Sequence, residues 1–348
     1  MRVAFVSLFT PEHGDTPARA RTRRTAAGLA ARGHDVTWLC ARWWGGEVAT
    51  FETDGITYRS VVVDPSPAAF ATRLPAAVRR LDPDVVHAVN SPPMPALATT
   101  LAGRLRGPPV LVDWWRDHPA DSRRLYPLLS RAADAVSAPS RTTKTRIREH
   151  GADGSAVRVI PESVDLDLVA EAEPDGRFDA VYSRRLDRHA NVETFLLALA
   201  ERRGGDWTAA VIGDGPERDR IESTAADLRI DDRVAFLGDL PLDERVSVFK
   251  GTHVFAQTAS WETFPTELLW ALACGCVGLV EYQADSSAHE LVEGRERGRL
   301  VTSPAELADA IDAVADLERL SSDPGFETYG EDAVLDEYVE VYRDLGAV

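Results

Sequence analysis

The fold is decided by the stretch VIGDGPERDRIESTAADLRIDDRVAFLGDLPLDERVSVFKGTHVFAQTASWETFPTELLWALACG, which covers residues 211–275. Short runs rich in β-branched and aromatic residues alternate here with longer runs rich in Leu, Ala and charged residues. This pattern predicts strands at 207–213, 234–238 and 253–258 and helices at 216–228, 242–250 and 266–273. Strands that alternate with helices in this way are typical of a parallel sheet covered by helices.

The same alternation extends along the whole chain and falls into two sets. The first set predicts strands at 2–9, 35–41, 56–63, 84–89, 110–114, 135–140 and 157–160, with helices between them. The second set adds strands at 180–186 and 277–282. Residues 163–179 are acidic, contain Pro174 and Gly176 and have no clear period, so we interpret them as a linker. We therefore predict an α/β protein with two Rossmann-like doubly wound domains, whose ligands bind where the strands end.

The composition is that of a globular protein with a strongly acidic surface. The 348 residues include 39 Lys and Arg against 56 Asp and Glu, which gives a formal charge of −17. A dispersed acidic surface argues against nucleic acid as a partner, because phosphate binding requires a basic footprint. Lys144 and Lys250 are the only lysines. Acidic surfaces keep proteins in solution in a salt-rich cytoplasm, which favours a halophilic archaeal origin, although high-GC codon usage alone favours Arg over Lys.

Several functional classes find no support in the sequence. Cys40, Cys274 and Cys276 cannot form a disulfide framework, and Cys274-x-Cys276 lacks the second ligand pair of a zinc site. The N-terminal apolar run is too short for a signal peptide, and the longest apolar run, 268–280, is too short to cross a bilayer. The chain contains neither a P-loop nor a Gly-x-Ser-x-Gly elbow. We expect a cytoplasmic protein.

Three features of the second half suit a ligand that carries phosphates and hydroxyl groups. The loop Thr263-Phe264-Pro265-Thr266 opens a predicted helix, so backbone N–H groups and the positive end of the helix dipole can face an anion. Arg185 ends a predicted strand, and its guanidinium can bind a diphosphate through two parallel hydrogen bonds. Glu262 can accept hydrogen bonds from sugar hydroxyls. Taken alone, Glu262 is more typical of a solvated loop, and Gly213-Asp214-Gly215 is more typical of a tight turn.

The motifs of residues 211–275 occur in a recognisable order. A strand ends in Gly-Asp-Gly-Pro, a Val-x-Phe-x-Gly strand follows, and a Glu-x-Phe-Pro loop leads into a helix that ends in Ala-Cys-Gly. In order and spacing this block resembles the retaining GT-B glycosyltransferases of family 4. The matching residues are Gly213, Asp214, Gly215, Pro216, Val234, Phe236, Gly238, Glu262, Phe264, Pro265 and Gly275. Further matches at 32–36, 84–88, 133–140, 159–165 and 290–301 extend the resemblance over nearly the whole chain.

The resemblance implies a GT-B fold, in which two Rossmann-like domains face each other across a deep cleft. Residues 1–165 would form the acceptor-side domain, with helix 331–348 crossing back onto it, and residues 166–330 would bind the donor. The co-substrate would be a nucleotide sugar, with no cofactor and no metal. The acceptor would be a glycan or a polyprenyl-phosphate-linked glycan at the inner face of the cell membrane. The product would belong to a cell-surface polysaccharide or a glycoprotein glycan.

In the mechanism that the resemblance implies, the departing diphosphate takes the acceptor's proton while the anomeric configuration is retained. Arg185 and the helix start at 263–266 would stabilise that leaving group, and Glu262 would orient the sugar.

The first departure from the family lies in the helix after Glu262. The family carries a second Glu eight residues later, where it holds the ribose, and this chain has Trp270. Glu267 is the nearest carboxylate on the helix and could substitute in part. Trp270 could stack on the ligand, or the helix could simply be core.

The second departure lies at 183–195, where the family has Gly-Arg-Leu and then a diphosphate-binding Lys. The Gly position is Arg184 and the Lys position is Ala190. Because a transferred phosphate needs about two cationic or dipolar partners, Arg184, Arg188 or His189 could supply the missing charge.

In the first half, residues 11–24 occupy the place of the family's glycine-rich acceptor loop. Only Gly14 of the usual pair remains, followed by Asp15 and a run of arginines. On a helix, Arg19 and Arg23 share one face and could bind a phosphorylated lipid or the donor's diphosphate. A solvated face that pairs with the surplus of acids is an equal alternative.

Other acceptor-side candidates follow the central strands. The sequence VDWWRDHPAD at 112–121 offers Asp113, Asp117 and His118 to the acceptor hydroxyl or the transferred sugar. His118 is favoured because its ordinary pKa suits proton exchange. Trp114 could stack on a sugar ring, but packing in the core is the commoner fate of Trp. His87 matches the His of the family's Asp-Val-x-His strand end, and a structural histidine is the alternative.

A membrane contact and two other functions stay open. The loop Trp43-Trp44-Gly45-Gly46 could anchor at a membrane interface, which the acidic surface opposes near anionic lipid unless salt screens it. A relative that binds nucleotide sugars or glycans without catalysis is compatible with Trp270 and Ala190. A GT-B epimerase acting on a nucleotide sugar is disfavoured by the family-4 spacing of the Gly-Asp-Gly and Phe-Pro blocks.

Overall fold

The computed structural model describes residues 1–14, 16–115, 124–202 and 206–348. The chain divides into two compact units. The first unit comprises Met1–Glu162 and Asp332–Val348, and the second comprises Ser163–Glu331.

The strands of the first unit are β1 (Arg2–Val6), β2 (Asp35–Ala41), β3 (Thr50–Thr53), β4 (Ile56–Val62), β5 (Val85–Val89), β6 (Val110–Asp113), β7 (Ala135–Ala138) and β8 (Val157–Val159). Those of the second unit are β9 (Ala180–Ser183), β10 (Ala209–Ile212), β11 (Val234–Gly238), β12 (Val254–Gln257), β13 (Trp261–Glu262), β14 (Val277–Glu281), β15 (Asp285–Ser286) and β16 (Gly298–Val301).

The helices of the first unit are α1 (Pro17–Ala31), α2 (Pro67–Leu81), α3 (Pro93–Arg106), α4 (Tyr126–Ala132), α5 (Arg141–Glu149) and, from the C-terminal segment, α13 (Glu331–Asp344). The second unit contains α6 (Leu166–Glu171), α7 (Val192–Glu201), α8 (Arg218–Leu228), α9 (Leu242–Gly251), α10 (Thr266–Ala273), α11 (His289–Val292) and α12 (Pro304–Ala313). Three short 3₁₀ turns lie at Pro11–His13, Gly154–Ala156 and Pro324–Tyr329.

The first unit is built on a sheet with the strand order β3-β4-β2-β1-β5-β6-β7-β8, parallel except for the β3–β4 hairpin. Alternate residues of each strand point to opposite faces. One face packs against α2, α3, α4 and α5 through residues such as Phe70, Leu129 and Ile147. The other face packs against α1 and α13 through Leu29 and Tyr338, so the last helix of the chain completes the core of the first unit.

The second unit is built on a parallel sheet with the strand order β11-β10-β9-β12-β14-β16. From β9 the chain first winds outward to β11, and it then returns to β12 and winds the other way. Loops that follow neighbouring strands at such a reversal diverge and leave a crevice at the carboxyl edge of the sheet. The segments after β9 and β12, residues 184–191 and 258–265, are therefore the place to look for a ligand site.

The predicted α/β class with parallel sheets in two domains is confirmed. The structure gives β2, β11 and α10 the bounds that the sequence predicts, and other elements differ by a few residues at their ends. Residues 163–179, interpreted as a linker, contain α6, whose start is capped by Asp165 through a 2.9 Å hydrogen bond from Leu168 N. Four strands, β3, β13, β15 and β16, were not predicted. Within the described residues, no helix is long and apolar enough to cross a membrane.

The tryptophans of the 43–46 loop pack inward, so their interpretation as an exposed aromatic anchor is wrong. The ring of Trp43 lies 4.9 Å from that of Phe51 and 5.6 Å from that of Tyr58. Trp44 is buried, and its indole N–H donates to Val48 O at 3.0 Å. The β3–β4 hairpin supplies the aromatic partners, which the sequence could not show because β3 was not predicted.

Candidate functional site

Arg184 is the central side chain of the crevice after β9 in the second unit. Its Nε donates to Glu262 Oε2 at 2.9 Å, and its Nη1 donates to Asp187 Oδ1 at 2.7 Å. Its Nη2 also donates to Trp261 O at 3.2 Å. The guanidinium therefore fastens the loop after β9 to the loop after β12, and it takes part in two ion pairs.

Burial and charge act in opposite directions on this cluster. Burial raises the pKa of Glu262 above its ordinary value, although Arg184 opposes the rise. Burial is the largest influence on Arg184 and disfavours its charged form, but Glu262 and Asp187 act together with Tyr182 to raise the net pKa of the guanidinium. For Asp187, burial is also the largest influence, yet Arg184 and His189 together lower the net pKa. The cation of Arg184 thus favours the ionised form of both carboxylates and offsets part of the cost of burying them.

Arg185 differs from its neighbour because its side chain is exposed. Among the described residues, no carboxylate forms an ion pair with it. It lies at the carboxyl edge of the sheet, immediately after the strand that borders the reversal. An exposed guanidinium without an internal carboxylate partner is available to bind an anion.

Gly213 and Gly215 bring the loops after β9 and β10 into backbone contact. A Cβ atom at Gly213, where φ is +121°, would lie 2.1 Å from Arg184 O, and one at Gly215 would lie 2.2 Å from Leu186 O. Leu186 N donates to Asp214 O at 2.9 Å across this contact. The two glycines are thus required by the close approach of two loops as well as by a turn. The carboxylate of Asp214 stays in its own turn and accepts from Gly215 N at 2.7 Å.

The loop before α10 is held by the segment around β15. Ser287 N donates to Glu262 O at 3.0 Å, and Ser287 Oγ donates to Thr263 O at 2.8 Å. Thr263 and Phe264 are buried, and no side chain caps the helix start at Pro265. The first turn of α10, which begins at Thr266, therefore lies next to Glu262 without a capping side chain.

Glu267 and Trp270 occupy different environments on α10. The carboxylate of Glu267 accepts from Ser183 Oγ at 3.1 Å and forms an ion pair with Arg245 of α9. It therefore lies at the end of β9, beside Arg184. Trp270 is buried, which favours the interpretation that its ring packs in the core.

Ala190 is also part of the core and is 1% exposed. Its carbonyl accepts from the hydroxyl of Tyr182 at 2.6 Å. The neighbouring His189 receives a hydrogen bond from Arg188 Nε at 2.9 Å, and its backbone N–H donates to Asp187 Oδ1 at 2.9 Å. His189 and Arg188 thus stay near the Arg184 cluster, while position 190 faces inward.

Sequence reasoning missed a second polar cluster at the ends of β9, β12 and β14. Asn191 Nδ2 donates to Thr258 O at 2.9 Å and to Glu281 Oε2 at 2.8 Å. Thr258 Oγ1 returns a bond of 2.7 Å to Asn191 O. Burial raises the pKa of Glu281. The positions of these residues in the sequence could have indicated the cluster. Glu281 lies at the carboxyl end of a predicted strand, and Asn191 follows shortly after another.

In the first unit, Asp113 belongs to a buried network around Arg21. Arg21 Nε lies 3.6 Å from Asp113 Oδ2, and its Nη atoms donate to Pro161 O at 2.8 Å and Ile160 O at 3.0 Å. Ser137 Oγ donates to Asp113 Oδ1 at 2.7 Å. Burial alone raises the pKa of Asp113, but the Arg21 charge together with His87 and the hydrogen bond from Ser137 outweighs it and holds that pKa well below its usual range.

His87 extends the buried network toward α13. Its Nδ1 lies 2.6 Å from the hydroxyl of Tyr342, and its ring stacks on Phe5 with centroids 4.5 Å apart. Tyr338 lies between His87 and Arg21, and its hydroxyl forms hydrogen bonds with Arg21 and Asp113. His87 therefore has the surroundings of a structural histidine.

The remaining first-unit candidates are dispersed. Trp114 is buried. Arg19 donates to Gly14 O, and Arg23 pairs with Asp54 at 2.6 Å, as expected for a solvated face that pairs with acids. The candidates Asp15, Asp117 and His118 lie outside the described residues. Within the described part of the chain, no group of three or more His, Cys, Asp or Glu could hold a metal ion.

Comparison with known structures places this architecture in one class. The chain aligns over 99% of its length with the whole chain of HepE from Anabaena in complex with UDP, with a TM-score of 0.78 and 17% identity. The protein therefore has the GT-B glycosyltransferase fold. Its residues 18–162 match the glycosyl transferase 4-like domain, and residues 165–329 match the family of glycosyl transferases group 1. The chain therefore contains a glycosyl transferase 4-like domain and a glycosyl transferases group 1 domain.

Two curated relatives illustrate the range of the family. The 2-deoxystreptamine glucosyltransferase of Streptomyces kanamyceticus is 29% identical over 42% of this chain and 42% of its own length. The GDP-mannose-dependent alpha-(1-6)-phosphatidylinositol monomannoside mannosyltransferase of Mycolicibacterium smegmatis is 24% identical over 80% of this chain and 82% of its own length. The match to the first relative thus spans less than half of either protein.

Proposed function

We propose that the protein is a retaining glycosyltransferase, which transfers a sugar from a nucleotide-sugar donor to a glycan or lipid-linked acceptor. The observation that carries the proposal is the pairing of Arg184 with Glu262 beside the exposed Arg185, at the carboxyl edge of the second sheet. One carboxylate positioned by a cation, next to a second cation without a carboxylate partner among the described residues, suits a sugar joined to a diphosphate.

Each part of the site has a role in the proposed reaction. Arg185 and the first turn of α10 hold the diphosphate and stabilise the charge that it gains as the leaving group. Glu262 accepts hydrogen bonds from the sugar hydroxyls, and Arg184 orients its carboxylate. The bond between the anomeric carbon and the phosphate oxygen breaks on the face where the acceptor oxygen bonds. Because the new bond forms on the same face, the anomeric configuration is retained. The acceptor's proton passes to the departing diphosphate, and no metal takes part.

Arg184 compensates for Ala190 in this proposal. A lysine at position 190 would have to leave the core, since the side chain there is 1% exposed. Arg184 brings a guanidinium to the same loop, and Arg188 and His189 are close to it in the chain. Gly213, Asp214 and Gly215 shape the donor site by joining its loops. Glu267, fixed by Ser183 and Arg245, contributes a carboxylate near the ribose.

The donor carries a uridine or guanosine diphosphate in this proposal. A solved neighbour was crystallised with UDP, and one relative is named as GDP-mannose-dependent. The acceptor belongs to the first unit, where Asp117 and His118 remain predictions for the group that contacts its hydroxyl. A polyprenyl-phosphate-linked acceptor would bring the enzyme to the inner face of the cell membrane, in cell-surface glycan synthesis.

Ligand-induced stabilisation tests the donor site directly. Binding to the folded state raises the thermal midpoint in proportion to RT ln(1+[L]/Kd). We expect one UDP- or GDP-sugar to raise the midpoint of the wild type and to do so much less in Arg185→Gln. The control is Arg299→Gln, which removes an exposed arginine of the same unit from a strand edge. No shift with any nucleotide sugar, or equal shifts in both variants, would contradict the proposed site.

A binding protein without catalysis is the second candidate, supported by the buried Trp270 in place of the family's second Glu. Turnover separates the two functions. Donor hydrolysis or transfer that is present in the wild type and lost in Glu262→Ala supports the enzyme. Tight UDP or GDP binding with no turnover under any acceptor condition supports the binding protein. A retained anomeric configuration in the product, measured by NMR, distinguishes the proposed mechanism from inversion.

A further inference from the structure

One layer of helices in the first unit has a charge opposite to that of the chain. Helices α2, α3, α4 and α5 pack side by side on one face of the sheet, and we call them the basic helical layer. Their sequences contain a single carboxylate, Glu149. Their cations are Arg73, Arg79, Arg80, Arg104, Arg106, Arg131, Arg141, Lys144, Arg146 and Arg148. In a chain with a formal charge of −17, such a local excess of cations is a distinct surface feature.

Helix α3 presents its leucines to solvent. Leu97, Leu101 and Leu105 recur every four residues and therefore share one face. Leu97 is half-buried, but Leu101 is 51% exposed and Leu105 is 81% exposed. On the inner face, Thr99 and Thr100 are buried and bond to the carbonyls of their own helix. Apolar side chains are thus exposed on α3 while two polar side chains are buried, which marks a surface suited to an apolar environment.

Helix α4 continues this apolar face. Arg104 Nη2 on α3 donates to Arg131 O on α4 at 2.8 Å, which fixes the two helices side by side. Both helices follow parallel strands of the same sheet and run in the same direction. Leu101 lies three residues before Arg104, and Leu128 lies three residues before Arg131, so the two leucines occupy corresponding positions on the two helices. Leu128 is 54% exposed.

The arginines around these leucines are not used in ion pairs within the described part of the chain. Arg79, Arg80, Arg104 and Arg131 have no carboxylate partner there. Arginines on the other side of the sheet differ, since Arg32, which follows α1, pairs with Asp332 and Asp336 of α13. The described arginines next to the exposed leucines therefore lack carboxylate partners, whereas Arg32 on the other side of the sheet is paired with two.

We propose that the basic helical layer binds the surface of a lipid bilayer that contains anionic lipids. Exposed leucines flanked by arginines match the boundary between acyl chains and headgroups, where leucines enter the apolar region and guanidinium groups contact phosphates. Nucleic acid fits less well, because its backbone offers no apolar region to exposed leucines. The anionic lipid supplies the charge complementarity that the rest of this acidic protein would repel.

Binding of the basic helical layer to a bilayer gives the enzyme a further partner, but it does not depend on the proposed sugar transfer. A lipid-linked acceptor would be presented at the surface to which the first unit binds. Vesicle binding requires neither donor nor acceptor, so it can fail while the donor site stands, and the reverse also holds.

Co-sedimentation with vesicles tests the proposal, using two adjacent Arg–Leu pairs. Arg104 and Leu105 lie in the layer, while Arg299 and Leu300 lie on β16 of the second unit and are also exposed. Wild type should bind vesicles of phosphatidylcholine with phosphatidylglycerol and should stay in the supernatant with phosphatidylcholine alone. Arg104→Gln with Leu105→Gln should weaken binding about tenfold or more, because each arginine near the bilayer contributes roughly fivefold and the leucine adds to it. Arg299→Gln with Leu300→Gln should bind as wild type.

A second variant separates charge from apolar contact. Arg79→Gln with Arg80→Gln leaves every leucine in place and should weaken binding to the anionic vesicles while shifting its salt dependence. Unchanged thermal midpoints show that the variants remain folded. The proposal is overturned by wild type that does not bind anionic vesicles, or by equal loss of binding in both Arg–Leu variants. Binding to duplex nucleic acid that survives Leu105→Gln, with no binding to vesicles, would assign the surface to nucleic acid.

Discussion

Arg21 in the first unit and Arg184 in the second are both held by a carboxylate where parallel strands end, but their surroundings differ. Arg21 is 2% exposed, and carbonyls, a tyrosine and Asp113 of its own unit surround it. Arg184 has an 11% exposed side chain and lies beside the exposed Arg185. A guanidinium whose partners all come from the fold stabilises the fold. One at the rim, next to an unpaired cation, can also position a ligand.

Breaking the buried network should have the largest effect on stability. Arg21→Met leaves the carboxylate of Asp113 buried without its cation, and removal of one partner of a buried pair costs about 3–5 kcal/mol. The thermal midpoint of the first unit should fall by many degrees, as followed by circular dichroism. Donor binding in the second unit should persist where that unit stays folded. A midpoint equal to that of the wild type would contradict the assignment of Arg21 to the core.

The pH dependence of the same variant sharpens the comparison. In the wild type, the pKa of Asp113 is depressed, so its stabilisation is present above the ordinary carboxyl pKa and is lost only as the pH falls through the lower folded value. In Arg21→Met, loss of the cation should raise the pKa of Asp113, so its carboxylate is protonated more readily as the pH falls. The destabilisation relative to wild type should therefore be larger at neutral pH than in mild acid. Thermal midpoints measured across this range check this dependence.

Breaking the ion pairs of Arg184 with Glu262 and Asp187 should change activity more than stability. Arg184→Met removes the cation that orients Glu262, and loss of such positioning lowers kcat/KM about 100-fold. Burial already raises the pKa of Glu262, so removal of Arg184 should raise it further. The acid limb of the pH–rate profile should then move to higher pH, which a purely structural role would not produce.

The control for Arg184 is another ion pair of the same unit. Arg202 caps the C-terminal end of α7, the end opposite to the crevice, and pairs with Asp312 at 2.7 Å. Arg202→Met should leave both kcat/KM and the pH profile unchanged. A similar loss of activity in both variants would show that Arg184 acts through general stability.

The loop contact at Gly215 should give an intermediate effect. In Gly215→Ala, the added methyl group meets Leu186 O at 2.2 Å, so the loops after β9 and β10 must separate. Such overpacking costs roughly 1–3 kcal/mol, and it should weaken donor binding because Arg184 and Arg185 precede Leu186. Gly176→Ala is the matched control, since nothing lies within 4 Å of its added Cβ. Isothermal titration with the donor nucleotide compares them, and equal affinities would argue against the contact.

The fold could be predicted from the sequence because strands and helices alternate along it. Strands covered on both faces, such as β2, are continuous apolar runs, and α10 is bounded by Pro265 and Gly275. The edge strand β3 was missed because Thr50–Thr53 is mostly exposed and acquires its partner only through the hairpin with β4. Its absence led directly to the wrong interpretation of the Trp43–Trp44 loop.

The candidate site could be predicted from the sequence only in part. Motif spacing named Arg185 and Glu262, but the pairing of Arg184 with Glu262 joins residues 78 positions apart, which one sequence does not reveal. Arg21 was missed because an arginine in an arginine-rich helix suggests a solvated face. A signal was present, since Arg21, Thr25 and Leu29 recur every four residues and all lie on the buried face of α1.

The smallest effect should come from Arg23, two residues from Arg21 on the same helix. Its pair with Asp54 at 2.6 Å has both side chains 44% exposed, so solvent and salt screen the attraction. Arg23→Gln should change the free energy of unfolding by about 0.2–1 kcal/mol, the usual range for an exposed ion pair. Added salt should reduce even this difference, while the effect of Arg21→Met should persist. If Arg21→Met and Arg23→Gln lowered the free energy of unfolding equally, burial would not explain why the Arg21 network is more stabilising than an ion pair on the surface of α1.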